Sequence, residues 1–472
     1  MCAAGAQILL IYLIIKALAA AFMSPRRKGD VMQFGSLTFL YLFLPAALLV
    51  FNLAPKKLKS WALTAISAGF VALAQWKYFP LYAINIIFQF AMSEFMRKND
   101  ENQKKKRFAF VLTVFINTLM MVFFSVMNQI SGLELPLGVM VIAFTSTGYF
   151  VDAYKGEAEY IHPFPEFAAF LSFFGKLYRG PLVRAGQRRT SACAERFSLR
   201  ETGKGLYLFL RGLAKYVLLA LPLSQMYNDL SSAAISEISV VGAWMKTVTL
   251  GMMMFYDLSG FCDMARGLGR CFGIELPKNF YFPFQSPSVT DFLDRFNMTV
   301  TEFFRHYVYD NLRTKKDSAI QFVVDTLLIC MLCGVWFGVR MNYVAWGLYI
   351  AVFIIIEGAF LRKTLLKIPR IFARLYTFCI TMLSMTIIST EERVGILPTF
   401  KAMIGVDTVT ITDEVSYIVS QNVLVLIVGM FFLTSAFSTL IRYISKKAPL
   451  VYNIFAVAET VALLALVTGE LI

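Results

Sequence analysis

The chain has 472 residues, of which 58% are hydrophobic and only 16% charged. That is more apolar side chain than one water-soluble core can hide, which excludes a soluble globular protein and makes the lipid bilayer the expected main partner. The formal charge of +15 does not point to nucleic acid, because the lysines and arginines sit in short links between apolar runs and not on one soluble face.

Residues 1–31 read as an N-terminal extension or extra helix. The apolar run from Ala6 to Met23 is interrupted by Lys16 and has no leading positive region, so it makes a poor signal peptide. A clean span begins at Met32 and runs to Pro55. Uncharged runs follow at Ser60 to Trp76, Tyr78 to Ser93, Phe108 to Leu133, Leu135 to Val151, Met341 to Ile356, Leu375 to Thr390 and Val415 to Ile441. Runs with one or two interior charges lie at Gly205 to Met226, Ile238 to Tyr256, Ser318 to Val339 and Val451 to Ile472. A helix needs roughly 20 residues to cross ~30 Å of hydrocarbon, and its backbone polar groups must be satisfied internally. The expectation is an all-α integral membrane protein, a multi-pass bundle of about eleven to thirteen segments with re-entrant helices around a central funnel. Its membrane domain covers 32–441 and a C-terminal helix covers 442–472.

Lys56, Lys57 and Lys59 precede one pair of spans, and Arg97, Lys98, Lys104, Lys105, Lys106 and Arg107 follow it. Two crossings return the chain to the same side, so both loops are expected to face the cytoplasm. Cys330 and Cys333 are spaced C-x-x-C inside an apolar run with no histidine nearby in sequence. One such pair cannot supply four zinc ligands, so they read as small buried thiols and no metal site is expected.

Two regions break the alternation of span and loop. From Tyr154 to Lys204, Pro163, Pro165 and Pro181 are mixed with Lys176, Arg179, Arg184, Arg188, Arg189, Arg196 and Arg200 around the apolar patch FAAFLSFF. The segment from Pro163 to Arg189 is expected to dip into the bilayer and return. Its basic residues Lys176, Arg179 and Arg184 either hold the phosphates of a CoA-like donor or the acidic surface of an acyl carrier protein, or form a snorkelling cytoplasmic loop. From Tyr256 to Asn311, charges alternate with aromatics, and polar groups at that depth usually line a cavity or pathway.

The second region contains SGFCDMARGLGRCFGIELPKNFYFPF and, further on, DFLDRFNMTVTEFFRHYVY. It resembles the membrane-bound O-acyltransferase family, with Ser259, Gly260, Asp263, Gly267, Gly269, Gly273, Pro277, Asn279, Phe280, Pro283, Phe292, Arg295, Arg305, Tyr307 and Tyr309 in register. LPLGVMVIAFTSTGYFVDAYKGE (135–157), FFGKLYRGPLVR (173–184) and residues 32–60 agree with the same family. The pattern is nearest the bacterial branch that acetylates alginate and other exopolysaccharides, with the teichoic acid D-alanylation branch a near relative.

The resemblance implies a funnel through which an acyl group, in this branch acetyl, passes from a thioester donor to a hydroxyl of a surface polysaccharide. The donor would be an acyl-CoA or an acyl carrier protein, used as cosubstrate with no bound cofactor. Extracytoplasmic acetyltransferase partners and a bacterial plasma membrane location are implied in the same way. Tyr256, Ser259, Asp263, Arg295, Arg305 and Trp336 would line the funnel.

The family's base is a histidine in a W-H-G motif, and a second histidine lies in W-H-I-S-L. Here GVWFG puts Phe337 in the first position and RFNMT puts Asn297 in the second. Phenylalanine cannot accept a proton and an amide has no useful basicity. The chain has two histidines, His162 and His306, and His306 is the candidate substitute base. Asp257, Asp263 and Glu275 read as partners of Arg266 and Arg270. Two readings stand: an acyltransferase, or a catalytically impaired relative that keeps the fold as a scaffold in polysaccharide modification or export.

Overall fold

The structure, a computed structural model, describes residues 32–185, 198–310, 318–389 and 395–471. The N-terminal extension, and Arg188, Arg189 and Arg196 of the basic segment, lie outside the described residues. The chain is all-helical and multi-pass. Six helices among the described residues are long and apolar enough to cross a membrane, or seven if one bent pair counts as a span.

Two compact units are built from interleaved segments. Among the described residues, one holds those up to Leu213 with Phe261–Pro277 and those from Thr468 onward, and the other holds those of Ala214–Gly260 and Lys278–Val467.

In the first unit, helices α1 (Phe39–Leu53), α2 (Lys59–Ala74), α3 (Phe79–Lys98), α4 (Gln103–Ser131) and α5 (Val139–Lys155) follow the apolar runs of the sequence. Inside this apolar packing sits a polar cluster with its donors matched to acceptors. Gln89 donates to Asn117 at 2.6 Å and to Asn85 at 3.0 Å, while Ser146 donates to Gln89 at 2.6 Å. Such bonds tie transmembrane helices together where no water competes. α6 (Phe164–Ser172) has nine residues, about 14 Å at 1.5 Å per residue, too short to cross. A 3₁₀ turn at Phe174–Lys176 follows it.

Helix α7 (Leu199–Ala214) leads through a π turn into α8 (Leu221–Ser236), and α9 (Val240–Cys271) follows. The glycines of ARGLGRCFG have separate tasks within the first unit. A Cβ at Gly267 would strike the Phe209 backbone nitrogen and lie 2.6 Å from the Gly205 carbonyl, so only glycine lets the two backbones approach this closely. Gly273, at φ +73°, ends the helix: Ile274 donates back to the Gly269 carbonyl at 2.7 Å, and Gly273 to that of Arg270.

The second unit contains α10 (Val289–Arg295), α11 (Met298–Phe304), α12 (Ala319–Val335) and α13 (Met341–Lys367). α12 and α13 form a tight pair, since a Cβ at Gly334 would meet the Tyr343 carbonyl and one at Gly347 that of Cys330. Cys330 and Cys333 are buried free thiols. Then come α14 (Arg370–Ile388), α15 (Ile396–Met403), α16 (Asp413–Gln421), α17 (Val423–Phe432), α18 (Ala436–Lys447) and α19 (Pro449–Leu471).

The run from Val415 to Ile441, one uninterrupted span by sequence, is broken. α16 and α17 meet at 60°. At the joint Asn422 turns its side-chain amide to the Ile418 carbonyl at 2.9 Å, and beyond α17 Thr434 returns its hydroxyl to the Phe431 carbonyl at 2.7 Å. These local bonds offer the backbone an alternative to continuing the helix.

Candidate functional site

The candidate residues divide between the units. Tyr256, Ser259, Arg295, Asn297, Arg305, His306, Trp336 and Phe337 belong to the second, and Asp263, Lys176, Arg179 and Arg184 to the first.

The segment around Asn297 is zipped to the stretch that begins at Asn279. Phe280 and Phe296 form an antiparallel bridge, Tyr281 donates to the Arg295 carbonyl at 3.0 Å, and Met298 donates to the Asn279 carbonyl at 2.9 Å. The Asn279 side chain closes the joint. Its Nδ2 donates to Asn297 Oδ1 at 2.7 Å, and its Oδ1 accepts from the Thr299 amide and hydroxyl at 2.9 Å each. Asn297 is buried and left-handed at φ +56°, where asparagine is tolerated better than most residues. Its side-chain oxygen is thus committed to holding a turn.

Phe337 lies in the turn between α12 and α13. Its ring meets Trp346 edge-on at 5.7 Å and lies 6.1 Å from that of Tyr343, and the Trp346 indole is fixed by a 3.0 Å bond to Ser384. An aromatic filler therefore stands at this position. α11 packs on α12, and the Thr301 hydroxyl of α11 donates to the Leu293 carbonyl of α10 at 3.3 Å.

His306 sits in the π turn Arg305–Tyr309 that continues α11. Its Nδ1 is 3.5 Å from Asp310 Oδ2, and its ring meets Tyr307 edge-on at 4.8 Å. Arg305 pairs with Asp294 at 2.8 Å and Arg295 with Asp291 at 2.9 Å. Tyr256 is buried and donates to the Gly429 carbonyl. The Ser259 hydroxyl, also buried, has no hydrogen-bond partner among the described residues. Trp336 caps the end of α12.

In the first unit, Asp263 pairs with Arg266 at 3.1 Å, a pair expected from the sequence. The three basic candidates differ. Lys176 is 1% exposed; its ammonium donates to the Phe170 carbonyl at 2.5 Å and lies over that residue's ring. Burial pushes its ammonium down to about 7. Arg179 is exposed, with its guanidinium 5.7 Å above the Phe261 ring, and Arg184 is half-buried.

Glu357 was not singled out from the sequence. It is 3% exposed, within α13, and accepts from the Val289 amide at 2.7 Å, the Thr290 amide at 3.1 Å and the Thr290 hydroxyl at 2.9 Å. It thereby caps α10, the helix leading directly into Asn297. The signal was a carboxylate ending the sixteen-residue apolar run Met341–Ile356, because a charge at that depth is costly unless paired.

The profile of the membrane-bound O-acyltransferase family matches residues 71–390. The chain belongs to this family. Relatives carry different acceptors in their names. The "Probable alginate O-acetylase" of Azotobacter vinelandii is 24% identical over 402 residues, covering 81% of this chain and 80% of the relative. The peptidoglycan O-acetyltransferase of Helicobacter pylori is 24% identical over 432 residues, 81% of each chain. The teichoic acid D-alanyltransferase of Streptococcus thermophilus is 25% identical over 288 residues, covering 56% of this chain and 68% of the relative. Two of these names describe acetyl transfer and the third D-alanyl transfer, and acyltransferases of this family use an acyl donor as cosubstrate.

Proposed function

We propose that the chain serves acetyl transfer from a thioester donor, acetyl-CoA or a charged acyl carrier, to hydroxyls of a cell-surface polysaccharide at a bacterial plasma membrane. The observation that carries this reading is the family match over 71–390, together with relatives named for acetylating alginate and peptidoglycan. In the reaction an acceptor hydroxyl oxygen bonds to the acyl carbon, the C–S bond breaks, the thiolate leaves with the electron pair, and the hydroxyl proton passes to a base. On this reading His306 takes the proton, with Asp310 beside its other ring nitrogen steadying the imidazolium.

A second reading is favoured by the two positions where the family carries histidine. Asn297 is tied to Asn279 and Phe337 is packed on Trp346, an arrangement suited to a relative that keeps the fold and acts as a scaffold, with extracytoplasmic acetyltransferases or an acyl carrier protein as partners. General base catalysis contributes about 10²–10⁴ in rate, so a chain lacking any base would retain only a trace of turnover.

Incubating purified protein with acetyl-CoA and acceptor polymer, and measuring acetate incorporated, separates the readings. Turnover abolished by His306→Ala and unaffected by Phe337→Ala supports the transferase. No turnover in the natural protein or in Phe337→His supports the scaffold. Brisk turnover that survives His306→Ala overturns both.

A further inference from the structure

One cleft in the second unit collects positive charge without a carboxylate in its wall. It holds about 390 Å³ and is lined by Tyr281, Phe282, Gln285, Arg295, Arg370 and Arg374, with Pro287 and Ser435. Arg295 is already paired with Asp291. Arg370 and Arg374 make no ion pair among the described residues. They stand four residues apart on α14, so their side chains share one face, and like charges at that spacing repel. Lys278 adds a further cation 4.2 Å above the Tyr281 ring. Gln285 accepts from the Ser435 amide at 3.2 Å through Oε1, which leaves its amide nitrogen as an additional donor. Phe282 holds a left-handed φ of +46°, a costly backbone for a bulky residue and one that clusters at ligand sites.

We propose that this cleft binds a phosphate-bearing anion through the guanidinium forks of Arg370, Arg374 and Arg295. Planar guanidinium groups grip phosphate oxygens in pairs, and a shared anion removes the repulsion between neighbouring arginines. The stretch from Arg362 to Arg374, where α13 ends and α14 begins, carries five basic residues, so by the positive-inside rule this end faces the cytoplasm. Ile371, Phe372 and Leu375, between 57% and 66% exposed, flank the arginines with surface suited to lipid. The phosphate could therefore belong to an anionic phospholipid headgroup or to a soluble cytoplasmic diphosphate. The inference is independent of the acyl-transfer reading, because binding is measured without turnover.

Calorimetry on the full chain in detergent, titrated with inorganic pyrophosphate, reads the soluble source. Native mass spectrometry of protein taken from mixed phosphatidylglycerol and phosphatidylcholine membranes reads the lipid source. Each arginine replaced in Arg370→Gln or Arg374→Gln should weaken the bound anion about tenfold, the effect of losing one charge-assisted contact. Arg362→Gln removes the same charge from the same link outside the cleft and should change neither measurement. Pyrophosphate binding lost in the double variant supports the cleft and assigns it to a soluble ligand. Phosphatidylglycerol retention lost in the double variant supports it and assigns it to lipid. A natural protein that binds neither probe, or a double variant that matches it in both, or an Arg362→Gln effect equal to that of the cleft variants, overturns the proposal.

Discussion

Replacing Glu357 by alanine tests what holds the candidate site in place. The carboxylate takes the first two amides of α10, while Ser288 takes the next two: the Asp291 amide to its hydroxyl at 3.0 Å and the Phe292 amide to its carbonyl at 2.9 Å. With Glu357 gone, no acceptor remains for the Val289 amide, whose residue is buried, and the Thr290 amide keeps only what water can reach. At about 1–3 kcal/mol for a buried donor left unsatisfied, the Val289 amide sets the loss at roughly 1–3 kcal/mol, reduced somewhat because a buried charge is also removed. That energy is local to α10 and the turn at Asn297, so hydrogen exchange resolved to residues 286–297 is the suitable assay. One factor of ten corresponds to about 1.4 kcal/mol, so protection at Val289 should fall roughly five- to a hundredfold, with a smaller fall at Thr290. Glu357→Gln keeps one carbonyl oxygen and should fall between the two. Exchange at these amides unchanged within about threefold in the alanine variant would refute the capping role.

Gly267→Ala should destabilise the first unit by about 1–3 kcal/mol because its Cβ meets the backbone at Phe209 and Gly205, whereas Gly203→Ala, with nothing within 4 Å, should be neutral or stabilising. Thermal unfolding of both in the same detergent checks the contrast, and equal behaviour would contradict the close approach. The buried Lys176 predicts a pH dependence. Its ammonium is held near 7 when folded but titrates near 10.5 when unfolded, so between these values the unfolded chain binds more protons and stability rises with pH. Below about 7 both states are charged and the full cost of burial is present. Lys176→Met should remove that slope and gain roughly 1–3 kcal/mol at pH 6, less the lost bond to Phe170. A midpoint that rises equally with pH in both proteins would count against it.

The sequence by itself determined the class of the protein and the positions of most helices, because lipid forces apolar side chains outward and backbone hydrogen bonds inward along each segment. The motif from Ser259 to Tyr309 pointed to the family, and Asn297 and Phe337, which the resemblance sets against its histidines, are legible without coordinates. The break at Asn422 could not be read so easily, since it depends on one amide folding back on a carbonyl within an otherwise apolar run. Only the tertiary structure decided what these two residues bond to and pack against. Asn297 takes its role from Asn279, eighteen residues away, and Phe337 from Trp346, while α10 is fixed by Glu357 from sixty-eight residues downstream. Lys176 shows the same limit: charge pattern placed it in a basic loop, and packing put it inside the protein. Hydropathy acts along a segment and is legible in order, whereas a hydrogen bond or ring contact depends on which segments meet, and that is decided when the helices pack.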